Sequence, residues 1–433
     1  MSSTALMTDR YELTMLDAAL GDGTAERESV FEVFGRRLPG GRRYGVVAGV
    51  GRLLDAIERF RFEEAELHWL GSERMVSDRT LEWLADYRFT GSIRGYREGE
   101  LYFPYSPLLT VEGSFAEAVV LETLILSVLN ADSAVATAAA RMVQAAAGRP
   151  VSEMGSRRAQ ERAAVSASRA AYIAGFSATS NLEAGRRWGV PTMGTAAHSF
   201  TLLHDSEEDA FRSQIAAMGE GTTLLVDTYD IGEGIRTAVR VAGDRLGAIR
   251  IDSGDLPVVI GEARRLLDAL GAERTRITVT NDLDEYAIGT LGAMPVDAYG
   301  VGTSVVSGSG HPAAGLVYKL VEHTDANGAW RRVAKRSSEK AGTGGRKWSV
   351  RDLDGDGRAT AERVVIGSEP DPGTGRPLTV PLVVDGRPEA GFLGVAGVRA
   401  AREHHAAVIR ELPLEGMRLS AGDPAIPTVI QDA

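Results

Sequence analysis

Arginines, a histidine and many small residues share one stretch of this chain, between residues 152 and 204. Arg157 and Arg158 open the stretch, and His198 closes it between Thr195 and Ser199. Arginine pairs with carboxylate and phosphate oxygens in bidentate geometry. An imidazole can act as a nucleophile or a base near neutral pH. The stretch therefore predicts an anion-binding site with one reactive histidine.

Polar side chains also follow a series of short apolar runs that read as strands. The predicted strands are Val190–Met193, Thr223–Val226, Ala248–Ile251, Ile277–Thr280 and Ala298–Val301, with helices near Ile235–Ala242, Pro257–Leu270 and Glu285–Leu291. The polar residues at the strand ends are Gly194, Thr195 and His198, then Asp227, Tyr229 and Asp230, then Asp252, Ser253 and Asp255, then Asn281, Asp282, Asp284 and Glu285, and last Gly300, Gly302 and Thr303. Any one group could be a turn or a helix cap, but their recurrence favours a functional site.

The residue types at these ends suggest a specific set of ligands. Carboxylates such as Asp252 can hold Mg²⁺ together with phosphates and waters. The sequence from Gly300 to Thr303 presents backbone N–H groups to a phosphate. Arg157, Arg158 and Arg250 can bind a carboxylate or a pyrophosphate. Together they predict a site for a phosphorylated sugar, a metal ion and a second anionic ligand.

The alternation of strands and helices predicts the fold class. It indicates parallel strands and an α/β barrel, whose functional groups lie at the carboxyl ends of its strands. An open doubly wound sheet is the alternative, although no Gly-x-Gly-x-x-Gly follows the first strand.

Composition limits the partners. The chain has 433 residues, which favours two domains. Its formal charge of −11 disfavours nucleic acid and anionic membranes as partners. There are no cysteines, which excludes disulfides and thiolate metal sites. We expect no signal peptide and no membrane span, and therefore a cytoplasmic protein.

The flanking regions have a different pattern. An amphipathic helix is predicted from Thr8, capped by Asp9, and a strand over Ser29–Phe34. Further helices are predicted within residues 46–88, with Trp69 and Trp83 as packing residues, and over 117–129 and 134–147.

The loop 36–43 is basic and is interpreted as a surface loop; the alternative is that it reaches a phosphate. Residues 331–381 and 382–403 read as short strands. The calcium-loop-like sequence at 352–357 has Arg363 at the position of the bidentate Glu and is interpreted as a polar turn.

The motifs, taken in order, resemble nicotinate phosphoribosyltransferase and, more distantly, nicotinamide phosphoribosyltransferase. The matching motifs are Thr8-Asp9-x-Tyr11, Arg157-Arg158-Ala-Gln, Gly194-Thr-x-Ala-His198-Ser199, Asp227-Thr-Tyr-Asp, Arg250-x-Asp252-Ser-Gly-Asp-Leu, Asn281-Asp-Leu-Asp-Glu and Gly300-Val-Gly-Thr303. Each motif is weak alone, and the ordered set is specific. It runs from residue 8 to about residue 320.

The resemblance implies a reaction. Nicotinate condenses with phosphoribosyl pyrophosphate to give nicotinate mononucleotide and pyrophosphate. Hydrolysis of the co-substrate ATP is coupled through a transient phosphohistidine, and Mg²⁺ is the metal cofactor. His198 matches the phosphorylated histidine, and Asp227 matches the carboxylate that orients it.

The resemblance also assigns ligand-binding residues. Arg157, Ser199 and Arg250 match residues around the nicotinate, and Tyr11 matches an aromatic residue on the pyridine ring, donated by the neighbouring subunit of a homodimer. The phosphoribosyl group is assigned to Asp252, Asn281, Asp282, Gly300, Gly302 and Thr303, with Asp252 also near the metal. The implied fold is an irregular TIM-like α/β barrel over residues 134–333. A second α+β domain combines residues 1–133 with a β-rich segment, 334–433.

Other functions remain open at this point. Nicotinamide is an alternative substrate. Quinolinate phosphoribosyltransferase shares the fold but normally uses lysine, and the first lysine here is Lys319. The lack of lysine before residue 319 also disfavours an aldolase, which would need a lysine to form a Schiff base. A zinc hydrolase would need clustered histidines, and only His198 and His204 lie between residues 152 and 304. A non-catalytic metabolite-binding relative is the remaining alternative.

Overall fold

A computed structural model describes residues 3–335, 342–371 and 373–433. The chain divides into two compact units. Unit 1 combines residues 1–137 with 311–433, and unit 2 comprises residues 138–310. Within the segment 331–381 that was expected to form strands, residues 336–341 and 372 lie outside the described residues.

The first part of unit 1 alternates helices with antiparallel strands. Its helices are α1 (Arg10–Asp22), α2 (Val50–Glu58), α3 (Glu64–Ser72), α4 (Asp78–Ala85), α5 (Phe115–Val119) and α6 (Glu122–Ala145). Its strands are β1 (Glu28–Gly35), β2 (Gly45–Val46), β3 (Ser92–Tyr96), β4 (Leu101–Tyr102) and β5 (Leu109–Ser114). Leu13 and Leu16 of α1 are buried, as the amphipathic pattern predicted. Asp9 occupies the N-cap of α1 but makes no side-chain capping hydrogen bond.

Unit 2 repeats the strand-then-helix pattern. Its strands are β6 (Val151–Glu153), β7 (Ala178–Thr179), β8 (Thr223–Leu225), β9 (Ala248–Ile251), β10 (Arg276–Val279) and β11 (Ala298–Val301). Its helices are α7 (Glu161–Ile173), α8 (Leu182–Trp188), α9 (His198–Leu203), α10 (Glu207–Met218), α11 (Ile231–Ala242), α12 (Leu256–Ala269), α13 (Glu285–Thr290) and α14 (Thr303–Val306). The division between the units falls within α6.

The C-terminal part of unit 1 is mostly β-structure. Its elements are β12 (Leu316–Thr324), β13 (Trp330–Arg332), β14 (Lys347–Leu353), β15 (Ala359–Ile366), β16 (Arg376–Pro377), β17 (Thr379–Val384), β18 (Arg387–Pro388), α15 (Gly394–Val408) and β19 (Thr428–Asp432). The seven-stranded sheet of unit 1 has the order β13-β12-β1-β5-β3-β17-β18. Because β12 pairs antiparallel with β1, residues 311–333 belong to unit 1 and not to the barrel, where the sequence had placed them.

The six strands of unit 2 form a parallel sheet in the order β7-β6-β11-β10-β9-β8. The sheet curls into a half-barrel, and the α/β fold class is confirmed. Its strands are short apolar runs with buried residues such as Ile249, Ile251, Ile277 and Val279, as expected for strands covered on both faces. The predicted strand Val190–Met193 is reduced to a single parallel bridge between Thr192 and Thr179.

Two predictions for the flanking region are wrong. Trp69 is 45% exposed and does not pack in the core, whereas Trp83 packs against the core of unit 1. The two helices expected over 117–129 and 134–147 are the short α5 and the continuous α6. Residues 115–145 are long and apolar enough to meet the length and composition criterion for a membrane span, but 67% of the most apolar window is buried within the protein. A core helix of a globular protein meets the same criterion.

The calcium-loop-like sequence is a turn between β14 and β15. Asp354 accepts backbone hydrogen bonds from Asp356 at 3.0 Å and from Arg358 at 2.8 Å. The Arg363 guanidinium pairs with the Asp352 carboxylate at 2.8 Å. The carboxylates therefore stabilise the turn itself, as the polar-turn interpretation predicted.

A buried ion pair joins β14 to β15 in unit 1. Arg351 is 0% exposed and donates to the Glu362 carboxylate at 2.8 Å and to the Leu101 carbonyl at 2.9 Å. The hydroxyl of Tyr96 donates to the other oxygen of Glu362 at 2.6 Å. Removal of one charge from such a pair leaves its partner charged, buried and without its cation.

We therefore expect Arg351→Met to lower the free energy of unfolding by about 3–5 kcal/mol. The measurement is urea unfolding followed by circular dichroism. Arg332→Met is the control, because the pair between Arg332 and Asp432 is exposed and such pairs contribute little. Equal shifts in the two variants would contradict the assignment of stability to the buried pair.

Candidate active site

His198 and two aspartates meet at the carboxyl edge of the unit 2 sheet. His198 is the first residue of α9, Asp227 follows β8, and Asp252 follows β9. The His198 Nε2 atom is 3.9 Å from Asp227 Oδ1 and 4.0 Å from Asp252 Oδ2. Its Nδ1 atom is 3.1 Å from the hydroxyl of Thr228. One imidazole nitrogen thus faces two carboxylates, and the other faces a hydroxyl group.

The Asp227 carboxylate is fixed by its neighbours along the sheet edge. Its Oδ2 atom accepts the backbone N–H of Asp252 at 2.8 Å and the hydroxyl of Ser253 at 2.7 Å. Its Oδ1 atom is buried and has no hydrogen-bond partner among the described residues. A buried carboxylate oxygen without a donor is costly. This oxygen is therefore directed to accept a proton or a positive charge from the direction of His198.

Arg250 lies within β9 and donates hydrogen bonds to two threonine hydroxyls and, at 3.3 Å, to the Ala196 carbonyl. Its Nη1 atom donates to the Thr195 hydroxyl at 2.6 Å, and its Nε atom donates to the Thr280 hydroxyl at 3.2 Å. Its Nη2 atom is 3.7 Å from Asp252 Oδ2 and makes no hydrogen bond among the described residues. The Arg250 side chain is only 13% exposed, so this remaining edge can bind an anion in a largely desolvated position.

The loops after β6 and β11 pack closely against each other. Met154 N donates to Val301 O at 2.7 Å. A Cβ atom added at Gly155 would lie 2.8 Å from Gly302 O and 2.4 Å from Val306 Cγ1. Gly302 precedes the short helix α14, which begins at Thr303. Glycine at 155 therefore lets the turn that carries Arg157 approach the Gly300–Thr303 loop.

A buried carboxylate supports the Arg157 turn. Glu153 is 0% exposed and accepts hydrogen bonds from the Gly155 N–H, the Thr179 hydroxyl and, at 2.7 Å, the Ser168 hydroxyl. The Asn181 side chain then donates to the Ser156 hydroxyl at 3.0 Å. These groups connect the ends of β6 and β7. Sequence reasoning missed Glu153, because a Ser-Glu pair in a three-residue strand leaves no apolar run.

Asn281 and Asp282 follow β10 in a left-handed backbone, with φ of 96° and 41°. Asn and Asp tolerate this region better than other non-glycine residues, and such strain is frequent at functional loops. Both side chains are exposed. Neither caps the following helix; Asp284 does so, accepting N–H bonds from Tyr286 and Ala287 at 2.9 and 2.8 Å.

The structure thus separates two classes of strand-end acids. Asp230 caps α11 by accepting from Glu233 N at 2.9 Å, and Asp284 caps α13. For Asp230 and Asp284, helix capping alone explains why an aspartate follows the strand. Asp255 occupies the N-cap of α12 without a side-chain bond. Asp227 and Asp252 cap no helix and face His198, which leaves them available for chemistry.

A second buried ion pair, between Glu285 and Arg141, lies in unit 2. Glu285 Oε1 accepts from Arg141 Nε at 3.0 Å, and Oε2 accepts from the Ser309 hydroxyl at 2.7 Å. Burial alone would raise the pKa of Glu285, but the hydrogen bonds from Ser309 and Arg141 outweigh burial and hold the pKa below its ordinary value. The pair connects the start of α13 to α6, and the Ser309 hydrogen bond connects it to the segment after α14.

The remaining predicted residues have fewer contacts. Arg157 and Ser199 are exposed, and neither side chain makes a hydrogen bond among the described residues. Tyr11 lies on α1 of unit 1 and is 46% exposed. Burial and the nearby Glu122 and Glu12 raise the pKa of its hydroxyl.

The start of α1, which carries Tyr11, is anchored by Glu12. Glu12 is buried and accepts hydrogen bonds from the Thr8 hydroxyl and from the backbone N–H and hydroxyl of Thr123. Burial raises the pKa of Glu12 to about 7.

The described residues contain no group of three or more His, Asp or Glu side chains that could hold a metal ion alone. Asp252 is 31% exposed and provides a carboxylate at the sheet edge, near the unpartnered oxygen of Asp227. This incomplete set fits Mg²⁺, which usually keeps several waters and phosphate oxygens among its ligands. A zinc site would require a fuller set of protein ligands.

Known proteins match the chain along most of its length. A family model described as the nicotinate phosphoribosyltransferase (NAPRTase) N-terminal domain matches residues 6–130. A nicotinate phosphoribosyltransferase of Mycobacterium tuberculosis is 55% identical over 435 residues, which cover 98% of this chain and 94% of the relative. The chain belongs to the nicotinate phosphoribosyltransferase family. The resemblance inferred from the ordered motifs is confirmed.

More distant family members retain the similarity. Nicotinate phosphoribosyltransferase of Bacillus subtilis is 39% identical, covering 80% of this chain and 72% of the relative. The crystal structure of human nicotinic acid phosphoribosyltransferase superposes with a TM-score of 0.81 at 26% identity, covering 98% of this chain and 97% of that one. Nicotinate-nucleotide pyrophosphorylase of Pyrococcus furiosus, with a TM-score of 0.77 at 24% identity over 94% and 95% of the two chains, shares the fold.

We expect Gly155→Ala to lower the activity of the site by separating the Arg157 turn from the Gly302 loop. The φ of Gly155 is −93°, so the effect is steric and not conformational. We expect an increase of about tenfold or more in the KM for the phosphorylated substrate, since a misplacement of 1 Å can cost about 100-fold. Gly292→Ala is the control, because a Cβ atom there meets nothing within 4 Å. Steady-state kinetics on both variants make the comparison, and equal KM values would disprove the role of the close approach.

Proposed function

We propose that this chain transfers the phosphoribosyl group of phosphoribosyl pyrophosphate to nicotinate, giving nicotinate mononucleotide and pyrophosphate in NAD biosynthesis, with coupled ATP hydrolysis. Membership of the nicotinate phosphoribosyltransferase family supports the reaction. The observation that carries the ATP coupling is the position of His198, with Nε2 facing Asp227 and Asp252 and Nδ1 facing Thr228. A histidine with its tautomer set by a carboxylate is suited to nucleophilic attack.

The two carboxylates favour the tautomer of His198 that carries its proton on Nε2. Nδ1 then holds the lone pair, and the Thr228 hydroxyl donates to it in the resting enzyme. When ATP binds, Nδ1 attacks the γ-phosphorus and displaces Thr228. The bond from phosphorus to the bridging oxygen breaks, and ADP leaves with the electron pair. Asp227 stabilises the positive charge on the phosphorylated imidazole. Water later hydrolyses the phosphohistidine and releases phosphate.

The other residues bind and orient the substrates. Arg250 presents its free Nη2 edge to the nicotinate carboxylate, with Arg157 and Ser199 close to the base, and Tyr11 of a partner subunit covers the pyridine ring. Asp252, Asn281 and Asp282 bind the ribose and its phosphates. The backbone from Gly300 through Gly302 to Thr303 binds the 5′-phosphate. These groups hold the pyridine nitrogen in line with C1 of the ribose, and this alignment supplies much of the rate enhancement.

Asp252, with pyrophosphate oxygens and waters, would hold Mg²⁺. When bound, the ion neutralises charge on the leaving pyrophosphate. The carboxylate of Asp227 remains directed to His198 through its hydrogen bonds from Asp252 N and Ser253. We also propose a cytoplasmic location and a homodimer with the site at the subunit interface.

The reaction is tested by incubating the purified protein with isotope-labelled nicotinate, phosphoribosyl pyrophosphate and Mg²⁺, with and without ATP. We expect labelled nicotinate mononucleotide by mass spectrometry, with faster formation and ADP release when ATP is present. Parallel reactions with nicotinamide and quinolinate test the alternative substrates. Absence of product from nicotinate, with or without ATP, would reject the proposal. Product formation at the same rate with and without ATP would support the transferase activity and exclude the phosphohistidine.

We expect His198→Ala to abolish the acceleration by ATP while leaving a slow ATP-independent transfer. It should also abolish the acid-labile phosphate that [γ-³²P]ATP leaves on the protein. His204→Ala is the matched control directly after the same helix, since His204 Nδ1 bonds the Phe200 carbonyl at 2.8 Å. Continued ATP hydrolysis in step with turnover in the His198 variant would show that another residue accepts the phosphate.

A further inference from the structure

Thr280 connects two groups that the proposed function assigns to different substrates. Its hydroxyl contacts Arg250 Nε at 3.2 Å and Asp252 Oδ1. Thr280 lies directly after β10 and is 5% exposed. Arg250 and Asp252 lie on the neighbouring strand β9 and on the turn that follows it. One hydroxyl group therefore lies between the candidate nicotinate-binding cation and the candidate ribose-binding carboxylate.

The direction of the two hydrogen bonds is fixed by chemistry. The guanidinium N–H can only donate, and an ionised carboxylate can only accept. The Thr280 hydroxyl must therefore accept from Arg250 and donate its single proton to Asp252. Both bonds include a charged group, and such bonds are stronger than those between neutral groups. No other arrangement of this hydroxyl satisfies both neighbours.

The rest of Thr280 is also held. Its backbone N–H donates to Ile251 O at 3.0 Å. A Cβ atom added at Gly300 would lie 2.7 Å from Thr280 Cγ2, so the methyl group packs beside the phosphate loop. With the methyl and the backbone fixed, the hydroxyl points toward Arg250 and Asp252, and the Ile251 carbonyl lies at the longer distance of 3.5 Å. β-Branched residues already have few side-chain rotamers.

We propose that Thr280 is a positioning residue that sets the distance between Arg250 and Asp252, and thereby couples the nicotinate and phosphoribosyl sites. The identity of the two substrates rests on the proposed function; the coupling rests on the contacts of Thr280. Arg250 has a second anchor in Thr195, whereas the Asp252 carboxylate, among the described residues, has the distant Arg250 Nη2 and His198 Nε2 as its other charged neighbours besides Thr280. Loss of the hydroxyl therefore disturbs both groups.

Thr280→Val tests the proposal, because valine keeps the shape and removes only the hydroxyl. Two charge-assisted hydrogen bonds are lost, and we expect the KM for nicotinate and the KM for phosphoribosyl pyrophosphate each to rise by about 10-fold or more. Thr280→Ser restores the hydroxyl, and we expect both KM values within about threefold of the wild type. A structural role alone would change the unfolding temperature and the active fraction, not both KM values in parallel.

Thr275→Val is the matched control. Thr275 precedes the other end of β10, is 1% exposed, and its hydroxyl has no partner among the described residues. We expect this variant to keep both KM values. Thr280→Ala, measured beside Thr280→Ser, replaces the valine variant if that protein does not fold.

The proposal is overturned if Thr280→Val raises only one KM, changes only kcat, or matches Thr275→Val or Thr280→Ser. If the wild type makes no nicotinate mononucleotide, the proposed function fails separately. Calorimetric titration of the same variants with nicotinate and with pyrophosphate then decides the coupling. Weaker binding of both nicotinate and pyrophosphate to Thr280→Val supports the coupling, and unchanged affinities reject it.

Discussion

The curl of the six-stranded parallel sheet is the constraint on which the candidate site depends. In the sheet order, the segment after β7 and the strand β8 lie at opposite edges. His198 follows the first edge, and Asp227 follows the other, yet their side chains are 3.9 Å apart. A flat sheet would hold these edges about six strand spacings apart, roughly 29 Å. The Arg250–Thr195 hydrogen bond at 2.6 Å crosses the same gap. The site therefore exists only because the sheet curls.

Within this curled edge, two kinds of polar group have different tasks. The capping residues Asp230 and Asp284 satisfy helix N-termini and so fix the loops. Asp227, Asp252 and Arg250 are held by their neighbours with one atom or edge left for a ligand. Hydroxyl groups connect the charged members, because a hydroxyl can accept from a guanidinium and donate to a carboxylate at once. Thr280 is the example, since it accepts from Arg250 and donates to Asp252.

Much of the fold and the family could be predicted from the sequence, and the contacts of the site could not. The strands 248–251 and 298–301 were located correctly because each is a short apolar run. β6 was missed because Ser152 and Glu153 interrupt its apolar pattern. Helix α6 was divided at Asp132 and Ser133, which are buried and paired with Arg52 and with Ala48 N of unit 1. Such partners are 80 or more residues away in sequence, and local patterns contain no information about them. The role of Thr280 was missed for the same reason.

The complete absence of lysine from unit 2 has a further consequence for regulation. Its cationic side chains are arginines and two histidines, since the first lysine is Lys319. A guanidinium keeps its charge throughout the physiological pH range. Acetylation of a lysine ammonium removes charge in many enzymes. That reaction has no target in residues 138–310, so the guanidinium charges of this unit cannot be removed in that way.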